Sequence, residues 1–284
     1  MSDILPIVEV FTASDGYELR YRRFSPLQDP PRAFVVCVHG IQSHGGWYEH
    51  SCSRLAERGF HVDFLDRRGS GLNQLGRGDA PGFLRLLDDL AEFLSRGRSQ
   101  RTIGNLKTFL VGISWGGKLV TALLRRHPGL VDGLVLLCPG FFAQVKPTLK
   151  ERLRIVWSRL AAPGRLFPIP LNDPELFTAN SARQEFILND PLALRQATAR
   201  FLLESVRLDR YLRFVPKFIT VPVLLMLAEK DRIIHNDRTR RFVEEFATND
   251  RDVIEYPGAH HTLEFERDPE PFIRDLGDWL ERHS

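Results

Sequence analysis

Lys107–Pro128 reads KTFLVGISWGGKLVTALLRRHP, and the order of residue types in it decides the fold. An apolar run (Phe109, Leu110, Val111) leads into Gly112-Ile113-Ser114-Trp115-Gly116. A helical pattern follows, with Leu119, Val120, Leu123 and Leu124 on one face, and it stops at His127-Pro128. That is a strand, a tight turn and a helix, with a serine at the apex. A G-x-S-x-G corner lifts its serine above the sheet, and the glycines flank it where neighbouring backbone passes too close for a Cβ. The apex also lies at a helix N-terminus, where unpaired N–H groups favour developing negative charge. The motif is short, so its meaning rests on what surrounds it.

Working outward, the chain repeats the same β-α unit. Val8–Thr12 and Glu18–Phe24 flank the turn signal Ser14-Asp15-Gly16 and read as an entry hairpin. Ala33–Val38 is an apolar strand ending in His39-Gly40, and Trp47–Arg58 is helical up to Gly59. His61–Leu65 is the next strand, ending in Asp66-Arg67-Arg68-Gly69-Ser70-Gly71. Phe83–Arg96 carries Leu84, Leu87, Leu90 and Leu94 at helical spacing. Leu134–Cys138 is a further strand. From Phe141 to about Pro216 the rhythm breaks: the stretch is punctuated by Pro147, Pro163, Pro168, Pro170, Pro174 and Pro191, mostly helical, and shows no convincing strand. The pattern resumes with a strand at Val221–Ala228, a helix near Arg238–Phe246, a strand at Asp252–Tyr256 and a last helix at Pro269–Arg282. Alternating β and α elements predict an α/β fold: a mainly parallel sheet of eight strands with helices on both faces.

The 284 residues, 43% hydrophobic and 26% charged, are ordinary for a globular protein. The net charge of +3 comes from dispersed arginines with no basic block interleaved with aromatics, which argues against nucleic-acid binding. Met1–Phe11 lacks the apolar core of a signal peptide, and no apolar run approaches a membrane span. Cys37 and Cys138 lie in buried-strand patterns, so the three cysteines are expected reduced and the location cytoplasmic. No metal-ligand spacing or dinucleotide loop is visible, and no cofactor is expected.

In an open parallel sheet, chemistry gathers beyond the carboxyl ends of the strands. Asp231 follows the strand Val223–Leu227, and His260-His261 follows the strand ending at Tyr256. With Ser114 this places a nucleophile, a carboxylate and a base past three different strand ends, in the order Ser, Asp, His. Glu229 and Asp237 rival Asp231, which has the better offset from its strand, and only one of the two adjacent histidines can be the base. His39-Gly40-Ile41 follows a fourth strand, so the backbone N–H groups of Ile41 and Trp115 are the expected oxyanion donors.

Taken together these motifs resemble the α/β-hydrolases of the monoacylglycerol lipase/lysophospholipase (serine aminopeptidase-like) type, over nearly the whole chain. The residues that carry the resemblance are His39-Gly40-Ile41, Asp66–Gly71 as D-x-R-G-x-G, G-x-S-x-G at Ser114, Val221–Asp231, and Pro257–His261 as P-G-A-x-H. It implies Ser114, Asp231 and His261 as the triad and matches Tyr48 to a family tyrosine after the oxyanion loop. It also implies a helical cap, 141–215, inserted after the sixth strand of a core made of 1–140 and 216–284. Ser43, Ser70 and Asn73 depart from the family pattern, which has an acid, a histidine and a serine there.

The implied activity is hydrolysis of a carboxylic ester of lipase, lysophospholipase or carboxylesterase type, with thioesterase, peptidase or C–C hydrolase chemistry as alternatives. A non-catalytic binding member of the fold is the rival class. An Asp-nucleophile dehalogenase or epoxide hydrolase is disfavoured by Ser114. Candidate substrate-lining residues are Trp47, Tyr48, Phe141, Trp157 and His260. In Leu149–Leu160 the stripe Leu149, Leu153, Val156, Trp157, Leu160 is flanked by Lys150, Arg152 and Arg159. Three readings stand: a lid over an acyl channel, a helix touching an anionic lipid surface, and a helix packed on the core.

Overall fold

Five apolar runs build the centre of the molecule, and their composition explains why they pair in parallel. The computed structural model describes residues 4–100 and 106–284. The strands β3 (Phe34–Val38), β4 (His61–Leu65), β5 (Thr108–Ile113), β6 (Gly133–Leu137) and β9 (Val223–Ala228) are almost wholly buried. Strands buried on both faces need helices above and below, the signature of a parallel sheet. The alternating, half-exposed β1 (Ile7–Thr12) and β2 (Glu18–Phe24) instead form the expected antiparallel hairpin at one edge. β10 (Arg251–Tyr256) closes the other edge, giving the order β1-β2-β4-β3-β5-β6-β9-β10. From β4 to β10 every pairing is parallel, so their carboxyl ends converge on one rim.

The helices of the core are α1 (Glu49–Glu57), α2 (Phe83–Gln100), α3 (Trp115–Arg126), α7 (Asn236–Glu244) and α8 (Glu270–His283). A short 3₁₀ turn at Gly45–Trp47 precedes α1, so the helix starts two residues later than the periodicity suggested. α3 lies so close on β5 that a Cβ at Gly112 would come 2.2 Å from Val120 Cγ2. That approach brings the start of α3 directly over the end of the central strand.

Between β6 and β9 the chain leaves the sheet. It forms α4 (Leu149–Ala161), β7 (Leu166–Pro168), α5 (Ser181–Asn189), β8 (Gln196–Thr198) and α6 (Ala199–Leu212). This corrects the expectation of a strandless stretch, because β7 and β8 pair antiparallel as a two-stranded ribbon. Three-residue strands, one ending in proline, are too short to show an alternation. A capping box explains where α4 begins: Thr148 accepts from the Glu151 N–H and the Glu151 side chain reaches back. Its packing overturns the core-packed reading of the stripe. Ile155 is the buried apolar contact, against Phe167 and Ala199, while Leu149, Leu153, Val156, Trp157 and Leu160 are 50–85% exposed.

Candidate active site

The corner between β5 and α3 holds Ser114 in a backbone conformation that side chains rarely adopt, φ 51° and ψ −122°. Such strain, about 1–3 kcal/mol, persists only where surrounding bonds over-determine it. Here the Ser114 N–H donates to Leu137 O at 2.9 Å, and its carbonyl accepts from Gly117 and Gly140 at 2.9 and 2.7 Å. A Cβ on Gly116 would lie 2.3 Å from Val38 O, so only glycine lets the corner sit against β3. The hydroxyl thus stands at the rim, and as the first residue of α3 Trp115 offers an N–H with no helical partner.

Two loops bring partners to it. The turn after β9 carries Asp231, whose Oδ1 accepts from Ile233 and Ile234 N–H at 2.7 and 3.0 Å. Its Oδ2 lies 2.6 Å from His261 Nδ1, and His261 Nε2 lies 2.8 Å from Ser114 Oγ. Both Asp231 and His261 are buried. The ring therefore carries its proton on Nδ1, facing the carboxylate, and presents a lone pair to the serine. Of the rivals, Glu229 and Asp237 are exposed, and Glu229 accepts from the Gly258 N–H.

The loop after β3 comes next. A Cβ on Gly40 would be 3.1 Å from Ser114 Cβ, which places Gly40-Ile41 against the nucleophile. Ser43 Oγ, at the family's acidic position, accepts from the Gly40 N–H at 3.0 Å and from the Tyr48 hydroxyl at 3.3 Å. Tyr48 stacks on Phe64 and braces this loop through Ser43. Asn73, at the family's serine, donates to the Asp66 and Arg67 carbonyls and holds the D-x-R-G-x-G turn closed. Arg68 forks onto Asp89 at 2.7–2.8 Å, a structural pair.

The other expected lining residues divide. Trp47 is buried and packs edge-on against Phe177, which in turn meets the His261 ring at 6.2 Å. Phe141 packs on Phe242, in the core beside α7. His260 is turned onto Glu266, 3.1 Å from Nδ1, and not onto Ser114. Trp157 is exposed on α4, with no hydrogen bond or ring contact to the site among the described residues. These last three thus have their described partners outside the triad.

Asp190 was not anticipated. It comes from the stretch between β6 and β9 and accepts from Trp47 Nε1 at 2.6 Å and His44 Nε2 at 3.0 Å. Burial acts to raise its pKa, but these hydrogen bonds outweigh it and hold the carboxyl below its usual value. Nothing in an Asn-Asp-Pro turn announces partners more than 140 residues away. Cys138, Asp231 and His261 also bring donor atoms within 4.8 Å of one another. Burial keeps the Cys138 thiol well above its ordinary pKa, and the Asp231 and His261 atoms of this cluster are already hydrogen-bonded to each other.

Residues 29–268 match the family model described as serine aminopeptidase, S33. A monoacylglycerol lipase of Mycolicibacterium smegmatis is 29% identical, with 96% of each chain covered. The uncharacterized protein YnbC of Escherichia coli is 25% identical over 90% of this chain, which spans 44% of that longer protein. The crystal structure of Paleococcus ferrophilus monoacylglycerol lipase superposes with a TM-score of 0.82 at 26% identity, covering 94% of this chain and 100% of that one. With a family match over most of its length and this architecture, the chain belongs to the serine aminopeptidase S33 family of hydrolases and has the α/β-hydrolase fold.

Proposed function

We propose that the protein is a serine hydrolase that cleaves a carboxylic ester bearing a single acyl chain, through an acyl-enzyme on Ser114. One observation carries the reading: His261 is hydrogen-bonded on both sides, to Ser114 Oγ at 2.8 Å and to Asp231 at 2.6 Å. Ser114 Oγ attacks the ester carbonyl while His261 Nε2 takes its proton, and Asp231 holds and stabilises the imidazolium. The carbonyl oxygen becomes negative between the Ile41 and Trp115 N–H groups, each such donor contributing about 10²–10³ in rate. His261 then protonates the departing alcohol, and water releases the acid by the same steps in reverse order. The relatives named monoacylglycerol lipase support an acylglycerol as the ester. The stretch 141–215 serves as the cap, its Phe177 set beside the His261 ring.

A lysophospholipid is the second reading, favoured by a cavity of about 580 Å³ lined by Arg77, Asp190 and Arg195. Among the described residues both guanidinium groups donate to backbone carbonyls, so two cations face the one Asp190 carboxylate and leave net positive charge for an anionic headgroup. The exposed stripe on α4 supports contact with an anionic lipid surface, its leucines and Trp157 entering the interface and its basic flanks meeting headgroups. Among the described residues no helix is long and apolar enough to cross a membrane. Three unpaired, buried cysteines support a cytoplasmic location.

The test is hydrolysis of a p-nitrophenyl ester series from acetyl to palmitoyl, with Ser114→Ala as the blank and a serine-reactive phosphonate as a label. Turnover that disappears in the variant is expected, with an optimum at medium or long chains. Absence of both turnover and labelling would refute the hydrolase and leave a binding protein. For the surface contact, Leu153→Glu with Leu160→Glu should abolish co-sedimentation with anionic vesicles and leave short-ester turnover unchanged. Undiminished vesicle binding would refute it.

A further inference from the structure

Arg67 occupies the variable position of the D-x-R-G-x-G turn and is 3% exposed. Among the described residues it has no carboxylate within ion-pairing reach. Asp66 beside it acts on the guanidinium through space, but its oxygens are bonded to Arg22 and to the Gly45 and Leu72 N–H groups. Its Nε is buried with no hydrogen-bond partner. Burial pushes the guanidinium down to about 9, still protonated at neutral pH. A buried cation with no direct ion pair is costly to folding, so its position calls for a reason.

That position is the back of the oxyanion loop. Arg67 Nη2 donates to Gly40 O at 3.2 Å and to Ile41 O at 2.5 Å. The His39 ring completes the clamp. Its Nε2 accepts from the Arg67 N–H at 3.1 Å, so the proton sits on Nδ1, which donates to Gly40 O at 2.8 Å. Burial, with the Arg67 charge, holds His39 well below its usual pKa and fixes this neutral form. The guanidinium also lies over the rings of Trp115 and Phe201, 5.0 and 5.3 Å from their centroids. It therefore touches both residues whose backbone N–H groups face the developing charge in the reading above.

The peptide joining Gly40 to Ile41 is planar and trans, so its C=O and N–H point in opposite directions. Donors that hold Gly40 O on the Arg67 side turn the Ile41 N–H to the other side, and a cationic donor polarises the same peptide. We propose that Arg67 is a positioning residue of the oxyanion hole: its unneutralised guanidinium aims and polarises the Ile41 N–H and sets positive charge behind the tetrahedral oxyanion. The cost of burying the charge is carried in the resting protein and relieved when negative charge forms, which is electrostatic preorganisation. This rests on the ester-hydrolase reading.

The experiment uses the full chain with Arg67→Gln, which loses the charge and keeps an N–H donor, and Arg67→Lys, which keeps the charge. Each is assayed on one p-nitrophenyl ester, on an alkyl trifluoromethyl ketone that forms an oxyanionic adduct with Ser114, and on the matching alkyl ether that cannot react. R67Q should lower kcat about 10- to 100-fold with KM within about threefold. The ketone should weaken by the same factor as kcat/KM, the ether should bind as before, and R67K should recover at least about threefold of the loss. Unchanged kcat in R67Q, equal weakening of ketone and ether, or R67K no better than R67Q at matched melting temperature would overturn the proposal. Should R67Q not fold, Arg67→Met, uncharged and of similar length, takes its place with the same outcomes: a loss on kcat and ketone that spares the ether and is partly recovered in R67K supports the proposal, and no loss or a shared loss overturns it. Wild-type protein without Ser114-dependent turnover would bring down the hydrolase reading and this proposal with it. Wild-type turnover with indifferent variants would bring down only the proposal.

Discussion

Asp231→Asn removes no heavy atom, yet it should nearly stop turnover, and the local geometry says why. Asp231 Oδ1 accepts from two backbone donors, Ile233 N at 2.7 Å and Ile234 N at 3.0 Å. An asparagine must keep its oxygen there, because its NH₂ group would face two N–H groups. The amide nitrogen is then forced towards His261 Nδ1, across the 2.6 Å that now separates carboxylate and ring. Two donors cannot share that contact, so the imidazole proton moves to Nε2. Ser114 Oγ, 2.8 Å away, then meets an N–H where it needs a base. Loss of the correct tautomer in such a triad costs about 10⁴ in kcat, or about 5.5 kcal/mol at about 1.36 per decade. That exceeds the about 10²–10³ of one oxyanion donor, so the two defects are separable by size. The near-isosteric change should move the melting temperature by no more than about 4 °C, the equivalent of about 1 kcal/mol in a chain of this size. The assay is p-nitrophenyl ester hydrolysis corrected by Ser114→Ala, with Glu229→Gln as the control. An Asp231→Asn enzyme retaining more than about a tenth of wild-type kcat, or a larger loss in the Glu229 variant, would refute the assignment of the acid.

Three other perturbations test the surroundings. His39 is held neutral in the fold, so below its unfolded pKa of about 6.5 the unfolded chain binds a proton that the native state refuses. Its contribution is therefore lost as pH falls below that value, by up to about 1.4 kcal/mol per pH unit. His39→Gln should flatten the slope of denaturant stability between pH 7 and 5, and an unchanged slope would refute this. Gly116→Ala would drive a Cβ to 2.3 Å from Val38 O and 2.6 Å from His39 O, both backbone atoms. It should cost at least about 1–3 kcal/mol in stability and slow phosphonate labelling of Ser114 more than about 100-fold; labelling at the wild-type rate would contradict it. Asp190→Ala leaves the Trp47 indole N–H and His44 without their carboxylate. A loss of about 2–3 kcal/mol is expected for bonds to a charged group, read by chemical denaturation, and a change below about 0.5 kcal/mol would argue against this link between core and 141–215.

The sheet was readable because its information is local. Val35–Val38, Phe109–Val111 and Leu134–Leu137 are apolar runs with no room for a solvent face, and each ends at a glycine, proline or serine turn. The order Ser114, Asp231, His261 and their places after strand ends could likewise be found along the chain, because in a parallel sheet every such position lies on the same rim. The excursion between β6 and β9 was less legible. The stripe on α4 has helical spacing, but spacing names a face and not what covers it. The helix instead packs through Ile155, and the larger apolar face is left outward.

Contacts that depend on distant packing left no mark on the sequence. His260 and His261 are neighbours of identical type, and the chain spacing left the choice between them to family resemblance. The fold separates them by turning one ring to Asp231 and the other to Glu266. Arg67 reads as a turn residue, and Asp190 as part of a proline-bounded loop. Their partners, Gly40 and Ile41 for one and His44 and Trp47 for the other, lie 26 or more residues away. The sequence alone determined the strands of the eight-stranded sheet, the sharp corner at Ser114 and the three chemical groups beyond the strand ends, because periodicity and glycine sterics act within a few residues. Tertiary structure decided which histidine meets the serine, what braces the oxyanion loop and which face of α4 meets solvent, because hydrogen bonds and burial are settled between segments the chain brings together only on folding.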